Sequence, residues 1–207
     1  ENLREWVTKY NLLESIFLNY YDRYRYFVNL NMVSHNTYGL CRLAYFLYGY
    51  SKPTILGIGR LNFEIKRYFD YCEVYENQAG KRFFAALPTR KYGSDGHISD
   101  DGETPYYCID SDVLTAHTFD DMGLLSKEPA VINLNEYKKI LSPGDLVATI
   151  HIPSKGKLDI DYVKQSICDA EIIIKKYLAD IKAFVSRTWF IDPGLRDVIK
   201  EGSNMRA

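Results

Sequence analysis

Residues 144–163 read Gly-Asp-Leu-Val-Ala-Thr-Ile-His-Ile-Pro-Ser-Lys-Gly-Lys-Leu-Asp-Ile-Asp-Tyr-Val, a short apolar strand, a lysine-bearing turn and a helix start. Val147 to Ile152 is rich in β-formers, Pro153 ends the strand, and Ser154, Lys155, Gly156 and Lys157 make the bend. Asp159 or Asp161 is then placed to cap a helix. The first N–H groups of such a helix and its positive dipole end face the same turn as the two lysines, which favours a phosphate there. A plain strand-to-helix connection with solvated lysines is the competing reading.

Downstream, Val163, Ile167, Ala170, Ile174, Tyr177 and Leu178 form one helical stripe, with Lys164, Gln165, Lys175 and Lys176 off it. The stripe predicts a helix packed on a sheet. Cys168 falls inside this helix and is expected to be packed and structural. Residues 183–191 read as a further strand, and Asp192-Pro193 as the cap and first residue of a last helix, 194–199.

Upstream, Leu3, Trp6, Val7, Tyr10, Leu13, Ile16, Phe17 and Tyr20 recur at three- and four-residue steps, so residues 1 to about 50 read as a helical segment. A break is expected around 29–39 and a second helical run near 40–47. Past Pro53 the period becomes two: Leu61, Phe63 and Ile65 alternate with Asn62, Glu64 and Lys66. Gly57 and Gly59 suggest a bulge or a close backbone approach at the start of that strand. Residues 68–75 and 82–87 complete an expected antiparallel meander. Residues 93–121 are rich in Asp, Gly and Ser without a period, and predict a long mobile excursion from the core. Its acidic residues lack EF-hand spacing, and His97 and His117 fit no zinc pattern, so no metal site is expected.

A hydrophobic content of 46% over 207 residues can bury a substantial core. The 26 basic and 27 acidic residues give a net charge of -1, so no global field recruits nucleic acid or an anionic membrane. Cys41, Cys72, Cys108 and Cys168 form no CxxC pair, which argues against structural zinc or a disulfide framework and fits a reducing, cytoplasmic setting. No apolar run approaches the roughly 18 residues of a membrane span. The 18 tyrosines and 10 phenylalanines are read as packing groups. The chain opens on Glu1, as expected of a fragment.

Arg60-Leu61-Asn62-Phe63-Glu64, Leu125-Ser126-Lys127-Glu128-Pro129, Gly144-Asp145 with His151-Ile152-Pro153 and Gly156, Trp189 with Asp192-Pro193, and Gly202-Ser203-Asn204 stand in an order and spacing that carry a resemblance. Together they resemble the blocks of a bacterial acyltransferase family with a GNAT-like C-terminal domain, the Gcn5-related N-acyltransferase fold. The likeness covers about residues 54–204. It implies an α+β domain, 51–207, with a mixed, mostly antiparallel sheet flanked by helices, and a helical N-terminal extension, 1–50. It also implies acetyl-CoA or another acyl-CoA as co-substrate, bound at Ile152, Ser154, Lys155, Gly156 and Lys157, and a small-molecule or peptidic amine as acceptor. One departure stands out: ordinary GNAT enzymes carry Q/R-x-x-G-x-G/A after the central strand, whereas this turn holds a single glycine.

No G-x-S-x-G elbow or other nucleophile arrangement is present. Direct acyl transfer needs a base for the amine and a polarised carbonyl instead. His151 and Glu64 are the candidates for that base, against a purely structural, hydrogen-bonded histidine. A non-catalytic module binding an acyl-coenzyme or a protein is the alternative to an enzyme.

Overall fold

The computed structural model describes residues 5, 8, 14–37, 48–49, 54–120, 123–153, 158–177, 180–188 and 198–199. The expected helix at 40–47, the bend at 154–157, and Trp189 and Asp192-Pro193 lie outside them. In chain order the elements are α1 (Glu14–His35), β1 (Ile55–Ile58), β2 (Leu61–Arg67), β3 (Cys72–Asn77), β4 (Arg82–Ala86), β5 (Tyr107–Asp110), β6 (Val113–Ala116), β7 (Ala130–Asn133), β8 (Tyr137–Leu141), β9 (Leu146–His151), α2 (Ile160–Tyr177) and β10 (Ala183–Ser186). This is an α+β chain. It divides into two compact units, one of Glu1–Lys66 with Leu146–Ala207 and one of Arg67–Asp145.

The first unit carries a four-stranded sheet in the order β1-β2-β9-β10. β1 and β2 are antiparallel, with Leu56 opposite Phe63, while β9 and β10 are parallel, as their connection through α2 permits. The core of this unit joins Leu56, Leu61, Phe63 and Ala148 of the strands to Ala170 and Ile174 of α2, the stripe expected from the sequence. A close contact sets the helix on the sheet. Ser166 Oγ accepts the Arg60 N–H at 2.7 Å and donates to the Tyr162 carbonyl at 2.6 Å. Gly59 turns the chain from β1 into β2 at φ +55°, and a Cβ there would collide with Ser166 Oγ.

α1 runs through the expected break to His35. Asn36, at φ 50°, supplies the left-handed residue that ends it, and Asn31 Nδ2 donates to the Thr37 carbonyl. The asparagines near 29–36 therefore sit inside or close the helix rather than interrupting it.

The second unit pairs a β4-β3-β8 sheet with a β5-β6-β7 sheet, all antiparallel. Tyr75, Ala85, Leu114, Ala116 and Ile132 form its core. Three expectations are corrected here. The 93–121 stretch is not an excursion: it contains β5 and β6, and Leu114 and Ala116 are fully buried. Four-residue strands joined by a two-residue turn with Ser111 at φ 54° are too short to show a period against the surrounding Asp and Ser. The meander also fails: β3 pairs with β4 and β8, whereas β2 lies between β1 and β9, because strand pairing joins segments far apart in sequence. The strand expected at 68–75 begins only at Cys72.

Glu73 is buried in this core and fully bonded. Tyr107 and Tyr75 donate hydroxyls to its Oε2 at 2.5 and 2.8 Å, and Lys139 Nζ reaches Oε1 at 2.9 Å. Burial alone would raise its pKa, but the bonds from Tyr107, Lys139 and Tyr75 outweigh it and hold the carboxyl below its usual range. The same burial pushes Tyr107 up to about 12.

Two predictions arise from these contacts. Gly59→Ala is expected to cost about 1–3 kcal/mol, from positive φ and the clash at Ser166, read as a lower urea midpoint at unchanged slope. Glu73 binds its proton less readily in the fold than in the unfolded chain, so its stabilisation is complete above the ordinary carboxylate range and is lost as pH falls through the lower folded value. Glu73→Gln should therefore cost about 1.5–3 kcal/mol at neutral pH and flatten the acid limb of stability. Urea titrations from neutral to acid pH measure both.

Candidate active site on the central strands

The strand that sets the fold also presents the chemistry. Alternation puts Asn62 and Glu64 on one face of β2, and Val147, Thr149 and His151 on one face of β9. Glu64 Oε2 and His151 Nε2 lie 2.9 Å apart, so the two faces are the same face of the sheet. Phe63, Ala148 and Ile150 have the opposite parity and pack with α2. The polar set thus stands on the side of the sheet away from that helix.

Both members of the pair are largely withdrawn from solvent, with side chains 14% exposed for Glu64 and 29% for His151. Lys66 Nζ adds a contact to Glu64 Oε2 at 3.1 Å. Burial pushes the Glu64 pKa up, but the hydrogen bonds of His151 and Lys66 prevail and keep the carboxylate below its usual range. An ionised Glu64 accepts the Nε2–H of His151, which puts the lone pair of the neutral ring on Nδ1. Sequence reasoning named these two residues separately; the structure brings them together.

Two neighbours were not named as site residues. Asn62 and Thr149 are each only 5% exposed, and Asn62 Oδ1 and Thr149 Oγ1 are buried with no hydrogen-bond partner. Buried polar atoms are nearly always bonded, and each orphan costs about 1–3 kcal/mol. Both lie two residues before a member of the pair, so the period-two rule places them on the face, although their burial is not legible from it.

Past the strand, Ile152 is half-buried, and Ser154, Lys155, Gly156 and Lys157 lie outside the described residues. The helix beyond is capped by Asp159, whose Oδ1 takes the Asp161 N–H at 2.9 Å while its carbonyl accepts the Val163 N–H at 3.0 Å. With Asp161 in the first turn, the positive end of α2 already faces two carboxylates. The cap falls on Asp159, one of the two aspartates the sequence offered for it. Cys168 is exposed, not packed, since it falls off the helix stripe. Cys72 is the half-buried thiol, raised in pKa by burial, with the Tyr68 hydroxyl 3.2 Å away. Among the described residues no three His, Cys, Asp or Glu side chains gather as a metal site, and no described helix is long and apolar enough to cross a membrane.

Residues 55–207 match the family described as the GNAT-like C-terminal domain. The chain belongs to that family. No curated protein and no solved structure matches it. As a GNAT-like C-terminal domain the chain belongs to a family of acyltransferase type, which turns attention to a half-buried glutamate–histidine pair flanked by unsatisfied polar atoms.

Thr149→Val removes a buried hydroxyl that has no partner while keeping its shape. It is expected to leave stability unchanged or raise it by about 1 kcal/mol, where removing a bonded hydroxyl would lower it. Thermal unfolding of the ligand-free variant reads the sign.

Proposed function

We propose that the chain is an acyl-CoA-dependent N-acyltransferase domain that passes an acyl group directly to an amine. The observation that carries this reading is the Glu64–His151 pair beside the orphaned Asn62 and Thr149. A domain that needed His151 only for packing would have no use for two neighbouring polar atoms buried at a loss.

Each residue has a role in that chemistry. Glu64 holds the ring with Nε2 protonated, so Nδ1 is the basic atom that takes a proton from the attacking amine; Glu64 then stabilises the imidazolium. Asn62 Oδ1 is an acceptor suited to a second amine N–H, and the Thr149 hydroxyl a donor suited to a carbonyl oxygen as charge develops on it. The acyl thioester supplies the activated carbonyl; its C–S bond breaks as the amide forms, and the coenzyme leaves as a free thiol that takes back the proton held by the His151 imidazolium. Ile152, Ser154, Lys155, Gly156 and Lys157 are the residues proposed to hold its coenzyme portion, with the two lysines offsetting the charge that a single glycine and an occupied helix end leave uncompensated. That same shortage of free N–H groups favours a second reading, a GNAT-like module that binds an acyl-coenzyme or a protein without turnover.

Calorimetric titration with acetyl-CoA and longer acyl-CoAs, followed by thiol release over a panel of amines, separates the readings. His151→Ala and Glu64→Gln are each expected to lower turnover about 10²–10⁴-fold with acyl-CoA affinity retained. Lys155→Ala with Lys157→Ala should weaken acyl-CoA binding at least about tenfold, or 1.4 kcal/mol. Binding without turnover would assign the module, and no binding would remove both.

A further inference from the structure

A cavity of about 570 Å³ lies wholly within the second unit, lined by two stretches of chain, 92–105 and 125–127, together with His117. Its size is that of ordinary small-molecule sites, about 300–1,000 Å³. Nothing in the acyl-transfer chemistry above uses it.

The cavity is built into the fold. Tyr92 and Glu103 exchange backbone hydrogen bonds at 2.8 and 2.9 Å, Leu125 N–H donates to the Gly96 carbonyl at 3.1 Å, and Ser126 N–H to that of Thr118 at 2.7 Å. Gly102 has no room for a Cβ against the Tyr92 carbonyl, and Gly96, at φ +81°, would place one 2.8 Å from the Leu125 carbonyl oxygen. Backbone bonds and close glycine contacts thus hold the two stretches in place, the kind of preorganisation that lowers the cost of binding.

Charge is sorted between them. The 92–105 stretch contributes Asp101 and Glu103, and the other side contributes His117 and Lys127. Among the described residues, none of Asp101, Glu103 and Lys127 takes part in an ion pair, although all three line one cavity. The two signs are held apart instead of cancelling. His117 Nδ1 accepts the Tyr106 N–H at 2.7 Å, so its neutral ring carries the proton on Nε2 and adds a donor to the basic side. Ser126 Oγ is committed to Thr118 N–H and the Glu128 carbonyl, so on this side of the cavity Lys127 and His117 are the side-chain donors for an anion.

We propose that this cavity binds a small zwitterion with a free ammonium and a free carboxylate, an amino acid or dipeptide. The ammonium meets Asp101 and Glu103, and the carboxylate meets Lys127 and the His117 Nε2–H. A charged group paired on both ends is what this sorting of unpaired charges selects. An uncharged or singly charged ligand would leave one wall unmatched.

The test is calorimetric titration of the full chain, without acyl-CoA, using amino acids and dipeptides beside their N-acetylated and C-amidated forms. Saturable binding of unmodified probes is expected, with each capped form at least about tenfold weaker, or 1.4 kcal/mol. Asp101→Asn with Glu103→Gln should abolish discrimination against the N-acetylated probe, and Lys127→Ala discrimination against the C-amidated one. These side chains are exposed, and unchanged circular dichroism would show that the variants fold. No saturable binding at millimolar concentration, equal affinity for capped and uncapped probes, or variants that bind as the parent does would overturn the proposal. Because the readout is binding alone, a failure of acyl transfer leaves this result intact, and the reverse also holds.

Discussion

The first unit is assembled around a single hydroxyl. Ser166, buried within α2, receives the Arg60 N–H just before β2 begins, while Gly59 lets the backbone come close enough for that bond to form. Any side chain at Gly59 would collide with the Ser166 hydroxyl and break the bond that ties α2 to the start of β2, beside the packing of Ala170 and Ile174 against Leu56, Leu61 and Phe63. Because β2 is fixed there, the residues that follow it in alternation are fixed as well. Asn62 and Glu64 owe their place on the polar face to a contact made on the other one.

The two units use buried polarity in opposite ways. Around Glu73, two tyrosine hydroxyls and a lysine satisfy the carboxylate, and the result is a closed network that stabilises the β4-β3-β8 sheet above the carboxylate pKa range. On the β2–β9 face, Asn62 Oδ1 and Thr149 Oγ1 are left without partners beside an acid–base pair. Full satisfaction suits a structural role; an unsatisfied set costs folding free energy that a bound substrate can return by supplying the missing partners. The contrast distinguishes a structural glutamate from a candidate catalytic one, though both carboxylates are held below their usual range for the same kind of reason.

Much of this was legible in the chain. The α2 stripe of Val163, Ile167, Ala170 and Ile174, the β9 strand, the alternation in β2 and an aspartate cap at 159 or 161 all follow from periods and end signals that depend only on neighbours in sequence. His151 and Glu64 were identifiable as candidate groups because acid–base chemistry draws on few residue types. The 93–121 region was misread because its strands are four residues long and its order comes from bridges such as Tyr92 with Glu103 and Ala85 with Thr118, which no local pattern records.

By itself, then, the sequence determined α2, β2 and β9, the faces on which the residues of those two strands fall, and the family, since these rest on spacing along one chain. Only the tertiary structure decided that β2 lies between β1 and β9, that Glu64 meets His151 across 87 positions, that Asn62 and Thr149 are buried unpaired, and that Asp101, Glu103 and Lys127 share a cavity. The physical reason is common to all four: each depends on which distant segments come within a few ångströms, and on how much water is excluded there. Neither quantity is a property of any residue or its neighbours in sequence.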